Sequence, residues 1–236
     1  MLTVEGLCAG YGGTKVLHGV DLTVRPGSVV ALLGANGAGK STTARAVAGL
    51  LPVTGGRVTL DGREIHRTAA HRRARAGVTL VPEGRGLFPG LSVSDNLRLG
   101  ARRAHGDGSV EDSLERVFTL FPVLADRRAQ AAGTMSGGQQ QMLAVAKALM
   151  ARPRHLILDE PSLGLAPRIV HSILTTLSTL ASEGLGVLLI EQNAVQALQL
   201  ADEAVVLERG TVTLTGPADR LADDERVRAG YLGGAV

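Results

Sequence analysis

The alternation of apolar and polar residues predicts where strands and helices lie along the chain. Over roughly the first 30 residues the two classes alternate between glycines, which predicts antiparallel strands and turns. Residues 28–34 and 77–82 are continuous β-branched and leucine runs, typical of strands buried on both faces. A helix is expected from Ser41 to about Leu50, and residues 55–62 resemble a hairpin strand.

A block of helical patterns follows, from residue 84 to residue 151. Ser92 and Asp95 resemble a capping box at a helix start. Residues 111–121 place apolar side chains on one helical face, and residues 139–150 form a further helix. Because the segments on either side are rich in strands, we expect this block to be a helical insertion.

Strands and helices alternate again after the helical block. Strands are expected at 155–161, 186–190 and near 204–215, and helices at 167–182 and 193–201. This order predicts an α/β fold with a parallel core. We expect one domain over residues 1–236, with its core at 1–83 and 152–236 and the helical part at about 84–151.

Composition narrows the class of protein. The chain has 236 residues, of which 44% are apolar and 20% charged, as in globular proteins. A single cysteine, Cys8, excludes a disulfide framework. No apolar run approaches the ~18 residues that cross a bilayer, and no signal-peptide pattern opens the chain. We expect a soluble, cytoplasmic protein.

Charge gives little sign of nucleic-acid binding. The net charge is +3, and the chain has no tryptophan, two tyrosines and three phenylalanines, so stacking platforms for bases are scarce. The densest basic stripe comprises Arg63, Arg67, Arg72, Arg73 and Arg75. We expect this stripe to be the solvated face of a short helix, and no nucleic-acid partner.

The strongest motif is a phosphate-binding loop. The segment "GANGAGKS" fits G-x-x-x-x-G-K-[ST] and stands between a predicted strand and a predicted helix. Its glycines allow a tight turn whose N–H groups face phosphate oxygens, while the lysine offsets phosphate charge and the serine hydroxyl faces Mg²⁺. The predicted ATP-binding residues are Gly34, Ala35, Asn36, Gly37, Ala38, Gly39, Lys40, Ser41 and Thr42.

Two acids end the strand "LILDE". Asp159 and Glu160 lie where a parallel sheet binds its ligands. We expect Asp159 to hold Mg²⁺ and Glu160 to orient an attacking water as general base. The pair favours hydrolysis over phosphoryl transfer to another substrate.

A second glycine-rich helix start lies inside the helical block. In "MSGGQQQ", Ser136, Gly137, Gly138 and Gln139 can form an anion-binding helix N-terminus. The alternative is an ordinary helix cap without a ligand.

Together these motifs resemble an ABC transporter ATP-binding subunit over essentially the whole chain. The phosphate loop, the signature "SGGQ", the Asp-Glu strand end and the segment "SLGLAP" at 162–167 stand in that family's order. The resemblance implies ATP and Mg²⁺ as ligands. It also implies that Tyr11 stacks on adenine and that residues 136–139 close over the ATP of a partner ATPase.

Further segments are similar to one ATPase of branched-chain amino-acid importers. They are "VPEGRGLFPGLSVSDNL", "EQNAVQAL" and "YLGG". This resemblance implies a second, unlike ATPase, two membrane permease subunits and an extracytoplasmic binding protein, with the chain held at the inner face of the membrane. A homodimer of the isolated chain and a related urea or amide importer stay open. The segment after Glu83, with Phe88, Pro89 and Leu91, would contact a cytoplasmic helix of the permease.

Two positions depart from the general family pattern. Glu83 stands where most members supply a glutamine to Mg²⁺, and Gln192 stands where most carry a histidine facing the γ-phosphate. Glutamate can still coordinate the ion, while glutamine donates a hydrogen bond but carries no positive charge. A nucleotide-binding module without hydrolysis is therefore one alternative. A chromosome-maintenance ATPase is another, although no coiled-coil run separates the phosphate loop from the signature.

Overall fold

The computed structural model of the protein describes residues 1–101 and 108–231. The strands are β1 Leu2–Tyr11, β2 Thr14–Val24, β3 Val29–Leu33, β4 Val53–Leu60, β5 Arg63–Glu64, β6 Val78–Val81, β7 His155–Asp159, β8 Gly186–Glu191, β9 Glu203–Glu208 and β10 Thr211–Pro217. The helices are α1 Lys40–Ala48, α2 Ala70–Arg75, α3 Val93–Ala101, α4 Val110–Leu120, α5 Pro122–Ala125, α6 Gly137–Leu149, α7 Pro167–Ser182, α8 Ala194–Leu200, α9 Ala218–Asp223 and α10 Glu225–Tyr231, with a 3₁₀ turn at Ala132–Thr134. Of the "YLGG" segment, residues 232–234 lie outside the described residues.

A sheet of mostly parallel strands forms the centre of the described fold. Its strand order is β10-β9-β3-β8-β7-β6, and β10 alone runs antiparallel to its neighbour. Strands β3, β7 and β8 are buried along their whole length, as their continuous apolar sequences predict. The predicted α/β fold with a parallel core is confirmed.

The side chains of β3 alternate between two apolar clusters. Val29, Ala31 and Leu33 face one cluster, while Val30 and Leu32 face the other. This alternation follows from the two-residue period of a strand, so the sheet is covered on both faces.

A second, antiparallel sheet covers one of those faces. Its strand order is β2-β1-β4-β5, and β1 pairs with both β2 and β4. Its apolar side chains share a cluster with those of α1 and of the parallel sheet. The predicted N-terminal antiparallel strands are confirmed.

Helices α3 to α6 lie on the opposite face. Ser92 begins α3 by accepting a hydrogen bond from the N–H of Asp95 at 3.0 Å. The apolar face predicted for residues 111–121 is buried, and its cluster is continuous with the sheet. The division into a core and a helical part at about 84–151 stays a prediction. Across residues 1–101 and 108–231, no helix is both long enough and apolar enough to span a bilayer.

The prediction that the arginine stripe is solvated is wrong for Arg73, which is buried in the structure. Its guanidinium donates to the carbonyl oxygens of Ala46 and Val47 at 2.8 Å each, and to those of His66 at 2.6 Å and Thr68 at 2.8 Å. The last carbonyl oxygens of a helix receive no hydrogen bond from a later turn of that helix, and the five N–H donors of one arginine can satisfy several of them. Arg73 therefore caps the end of α1.

Candidate active site

The predicted phosphate loop joins β3 to α1, and its glycines are required by close packing. A Cβ atom on Gly34 would lie 2.5 Å from the carbonyl oxygen of Leu207. Gly39 has φ 107°, and a Cβ there would lie 2.7 Å from Cδ2 of Leu17. Only glycine fits both positions, so the backbone itself forms the cradle.

The far end of the loop is fixed to neighbouring elements. The N–H of Gly210, in the turn between β9 and β10, donates to the carbonyl oxygen of Ala38 at 2.8 Å. Thr43 donates from both its N–H, at 2.9 Å, and its hydroxyl, at 3.0 Å, to the carbonyl oxygen of Gly39. Ala35, Asn36 and Gly37 are exposed. The exposed residues precede the start of α1, whose first N–H groups have no partner within the helix. These N–H groups can therefore bind phosphate oxygens.

Lys40 lies inside this cradle and is 4% exposed. Its ammonium group donates to the carbonyl oxygens of Gly34 at 2.8 Å and Ala35 at 3.3 Å. It also forms an ion pair with Glu160, with 3.2 Å between Nζ and Oε1. The loop and the end of β7 are therefore joined through one positive charge.

Ser41 is hydrogen-bonded to Asp159, its predicted partner at the metal site. The hydroxyl donates to Oδ1 of Asp159 at 2.9 Å. Burial raises the pKa of the Asp159 carboxyl above its usual value, although the hydrogen bond from Ser41 opposes that rise. The negative charges of Glu160 and Glu83 raise this pKa further, so both lie close enough to affect Asp159.

Glu83 and Gln192 lie at the same edge of the sheet. Strands β3, β6, β7 and β8 are parallel and in register, so their carboxyl ends meet there. Glu83 follows β6 and Gln192 follows β8, and both are exposed. The structure thus brings these two residues to the edge that carries the phosphate loop and Glu160.

This arrangement fits a triphosphate and a magnesium ion. Glycine backbone and a buried ammonium suit phosphate oxygens. The described residues contain no group of three His, Cys, Asp or Glu side chains that could hold a metal by themselves. Mg²⁺ does not require one, because it binds through one or two carboxylates together with substrate phosphates and water. Ser41, Asp159 and Glu83 offer such hard oxygen ligands.

Tyr11, the expected adenine contact, ends β1 beside the phosphate-loop helix. Its side chain is 43% exposed, and its hydroxyl accepts a hydrogen bond from Nη1 of Arg45 at 3.2 Å. The ring is therefore available next to α1, and its stacking role stays a prediction.

The signature residues form the capped start of α6. The Ser136 hydroxyl accepts from the N–H of Gln139 at 3.3 Å, and the Gln139 side chain accepts from the N–H of Ser136 at 3.1 Å. Gly138 faces α7, where an added Cβ would lie 2.9 Å from Cγ2 of Ile169. Within the described chain no hydrogen bond joins these residues to the phosphate loop, so they form a separate surface.

Two polar contacts near the site are not apparent from the sequence. Glu191, at the end of β8, is buried and accepts two hydrogen bonds from Ser162. Arg85, in the loop after β6, donates to Oε1 of Gln140 at 2.6 Å and so joins that loop to α6. For Glu191 the available signal was its place at the carboxyl end of a parallel strand.

The fold and the phosphate loop are those of a nucleotide-binding protein, and comparison with known proteins gives its family. The family model described as ABC transporter matches residues 17–163. The chain therefore belongs to the ABC transporter ATP-binding family, whose cassettes hydrolyse ATP for transport.

Three known proteins illustrate the relationship. BraG of Pseudomonas aeruginosa, a high-affinity branched-chain amino acid transport ATP-binding protein, is 43% identical over 99% of this chain and 100% of its own length. LptB of Escherichia coli, a lipopolysaccharide export system ATP-binding protein, is 34% identical over 98% and 97%. A solved structure of the ADP conformation of an ATP-binding cassette of an ABC transporter superposes with a TM-score of 0.85, at 26% identity over 99% and 98% of the two chains.

Proposed function

We propose that the chain hydrolyses ATP to drive uptake of branched-chain amino acids, as one of two unlike ATPase subunits of an ABC importer. The hydrolytic part is supported chiefly by the contacts that join Lys40, Ser41, Asp159 and Glu160 at one edge of the sheet. The solute class is supported by the 43% identity to BraG, against 34% for the export ATPase LptB.

Each residue of the edge has a role in this proposal. The N–H groups of residues 34–42 and the ammonium of Lys40 hold the triphosphate, and Tyr11 stacks on adenine. Ser41, Asp159 and Glu83 hold Mg²⁺, which when bound offsets charge on the phosphate oxygens. Glu160 accepts the proton of the attacking water.

Gln192 and Glu83 differ from the general family pattern, and both have a role in the proposed hydrolysis. Gln192 donates a hydrogen bond to the γ-phosphate in place of a histidine. Glu83 adds a negative charge beside Asp159. The negative charge of the site must therefore be offset by the ligands that it binds. We expect both residues to lower the rate of hydrolysis rather than the affinity for ATP.

The signature surface completes the site of a second ATPase. Residues 136–139 present a helix N-terminus, which attracts phosphate charge. Two cassettes facing each other would each close over the other's ATP, and hydrolysis would let them part.

A groove beside the helical block suits the membrane subunit. Its cavity of about 520 Å³ lies between the end of α1, β6 and α6, with Leu50 and Phe88 exposed at 62% and 51%. The ammonium of Lys147 lies 4.5 Å from the centre of the Phe88 ring and donates to the carbonyl oxygen of Gly86 at 2.8 Å. An apolar mouth with two positively charged side chains, Arg85 and Lys147, suits an amphipathic cytoplasmic helix of a permease, which would hold the chain at the inner face of the membrane.

Transport by the assembled complex tests this function. We expect proteoliposomes that contain this chain, its second ATPase, both permeases and the binding protein to take up radiolabelled leucine when ATP is present. Glu160→Gln should lower phosphate release at least ~10²-fold, because the general base is lost. Glu115→Gln, an equivalent change at an exposed position on α4, is the matched control and should leave the rate unchanged.

The possible failures separate the alternatives. Uptake of urea without leucine would assign the chain to the related urea or amide importers. An unchanged rate in Glu160→Gln would remove Glu160 from the role of base. No phosphate release from the complete complex would indicate a nucleotide-binding module without hydrolysis.

A further inference from the structure

A buried carboxylate lies beside the candidate general base. Glu191 ends β8 and is 3% exposed. Its Oε1 accepts from the N–H of Ser162 at 3.0 Å, and its Oε2 accepts from the Ser162 hydroxyl at 2.8 Å. Both carboxylate oxygens are thus bound to one residue, which lies two positions after Glu160.

Burying the Glu191 carboxylate costs free energy. Burial raises the pKa of the Glu191 carboxyl, and the negative charge of Glu160 raises it further, while hydrogen bonds from Ser162 and from the backbone of Gln192 oppose the rise. Among the described residues Glu191 forms no ion pair, and the ammonium of Lys40 is paired with Glu160 instead. A buried acid without a cation of its own is a poor source of stability, which favours a functional reason for it.

The segment between Glu160 and Ser162 is attached to the end of β8 at both ends. The N–H of Glu160 donates to the carbonyl oxygen of Ile190 at 2.9 Å. Glu160 itself has φ 49°, in the left-handed region that non-glycine residues seldom adopt. Such a backbone persists only where its surroundings hold it, and the two hydrogen bonds from Ser162 to Glu191 hold the segment beyond it.

We infer that Glu191 is a positioning residue for hydrolysis: through Ser162 it holds the strained segment that aims the Glu160 carboxylate. The inference rests on the proposed function, in which Glu160 is the general base. Glu191 directly precedes Gln192, the residue proposed to face the γ-phosphate, so the same contact also joins the end of β8 to the turn after β7. Misplacing a catalytic group by about 1 Å can cost as much as ~10²-fold in rate.

Kinetics of five variants of the full-length chain, in the assembled complex, test the inference. We expect Glu191→Ala to lower kcat at least about tenfold while the KM for ATP stays within about twofold. Glu191→Gln can accept from the Ser162 N–H and donate to its hydroxyl, so it should restore most of the rate. Ser162→Ala keeps the N–H bond and should give an intermediate kcat.

Leu188→Ala is the matched control for general destabilisation. Leu188 is 1% exposed on the same strand and contacts the apolar cluster instead of Ser162. We expect its melting temperature to fall at least as far as that of Glu191→Ala while its kcat stays near wild type. Combining Glu191→Ala with Ser162→Ala should cost no more than Glu191→Ala alone, because both remove the same contact.

Two results would overturn the inference. One is a kcat for Glu191→Ala within about twofold of Leu188→Ala, which would leave Glu191 a structural role only. The other is a Glu191→Gln variant as slow as Glu191→Ala. If Glu191→Ala does not fold, the kcat values of Glu191→Gln and Ser162→Ala are compared with that of Leu188→Ala instead. A normal rate in Glu160→Gln would instead remove the proposed base, so the two failures are distinguishable.

Discussion

Arg73 shows how one side chain can stabilise the helix that carries the phosphate loop. It donates to carbonyl oxygens in the last turn of α1 and before α2. We expect Arg73→Met to lower the free energy of unfolding by at least about 2 kcal/mol, because buried carbonyls lose a charged donor. Arg72→Met, at the exposed neighbouring position, is the control and should change it by less than about 0.5 kcal/mol. Urea denaturation measures both, and equal losses would contradict the capping role.

His155 gives the protein a sensitivity to acid. Burial lowers the pKa of its imidazole to about 4, and its Nε2 bonds the carbonyl oxygen of Val24 at 3.2 Å. The folded pKa lies below the unfolded value of about 6.5, so protonation favours unfolding. The stabilisation is complete above about pH 6.5 and is lost towards pH 4, by at most about 3 kcal/mol.

His155→Gln should therefore flatten the fall in melting temperature between pH 7 and pH 4. Gln keeps a donor for the carbonyl of Val24 but does not titrate. The charges around His155, which are the N-terminal amine, Asp61 and Arg154, are the same in both proteins. Parallel curves for the variant and wild type would show that another group causes the acid loss.

At this scale the sequence predicts residues whose geometry is encoded locally. Lys40 and Ser41 could be predicted because the glycine spacing specifies the backbone around them. Arg73 and Glu191 could not, because their partners lie far along the chain: Ala46 is 27 positions from Arg73, and Ser162 is 29 from Glu191. An acid at a strand end and an arginine in a basic stripe look the same in sequence whether they are buried or exposed.

Among the elements, the signature helix α6 depends on close packing against α7. An added Cβ on Gly138 would lie 2.9 Å from Ile169. We expect Gly138→Ala to displace the helix start and to lower ATP hydrolysis by the complex at least about tenfold. Gly216→Ala, where no atom lies within 4 Å of the added Cβ, is the control and should be neutral.

A second substitution makes that prediction specific. Adding Ile169→Ala to Gly138→Ala removes the two closest carbon atoms, Cγ1 and Cγ2, and should recover part of the rate. Activity in Gly138→Ala equal to wild type would contradict a tight α6–α7 contact. So would a double variant that is no better than the single one.

Length and periodicity decide which elements the sequence predicts. The buried strands and α7 carry long apolar patterns, and α7 has the predicted bounds, Pro167–Ser182. Helix α1 ends at Ala48, earlier than expected, because Gly49 adopts a left-handed cap with φ 79°. Strand β5 and helix α5, with two and four residues, are too short to show a period.

The whole molecule brings residues that are distant in sequence to one edge of a parallel sheet. Glu83, Asp159, Glu160 and Gln192 each follow or end a strand, and the shared strand direction places them at the edge where Lys40 pairs with Glu160. The signature surface on α6 is separate, and in the proposed assembly it faces another chain's nucleotide. One chain therefore contributes half of each of two sites in the proposed assembly.

The proposed hydrolysis requires that loop amides and the Lys40 ammonium bind the triphosphate. Isothermal titration of the full-length chain with a non-hydrolysable ATP analogue and Mg²⁺ tests it most directly. Lys147→Ala, which removes a lysine on α6 outside the phosphate loop, is the charge-matched control and should bind like wild type. We predict that Lys40→Ala binds about 100-fold more weakly or not at all. Wild-type affinity in Lys40→Ala would contradict the claim.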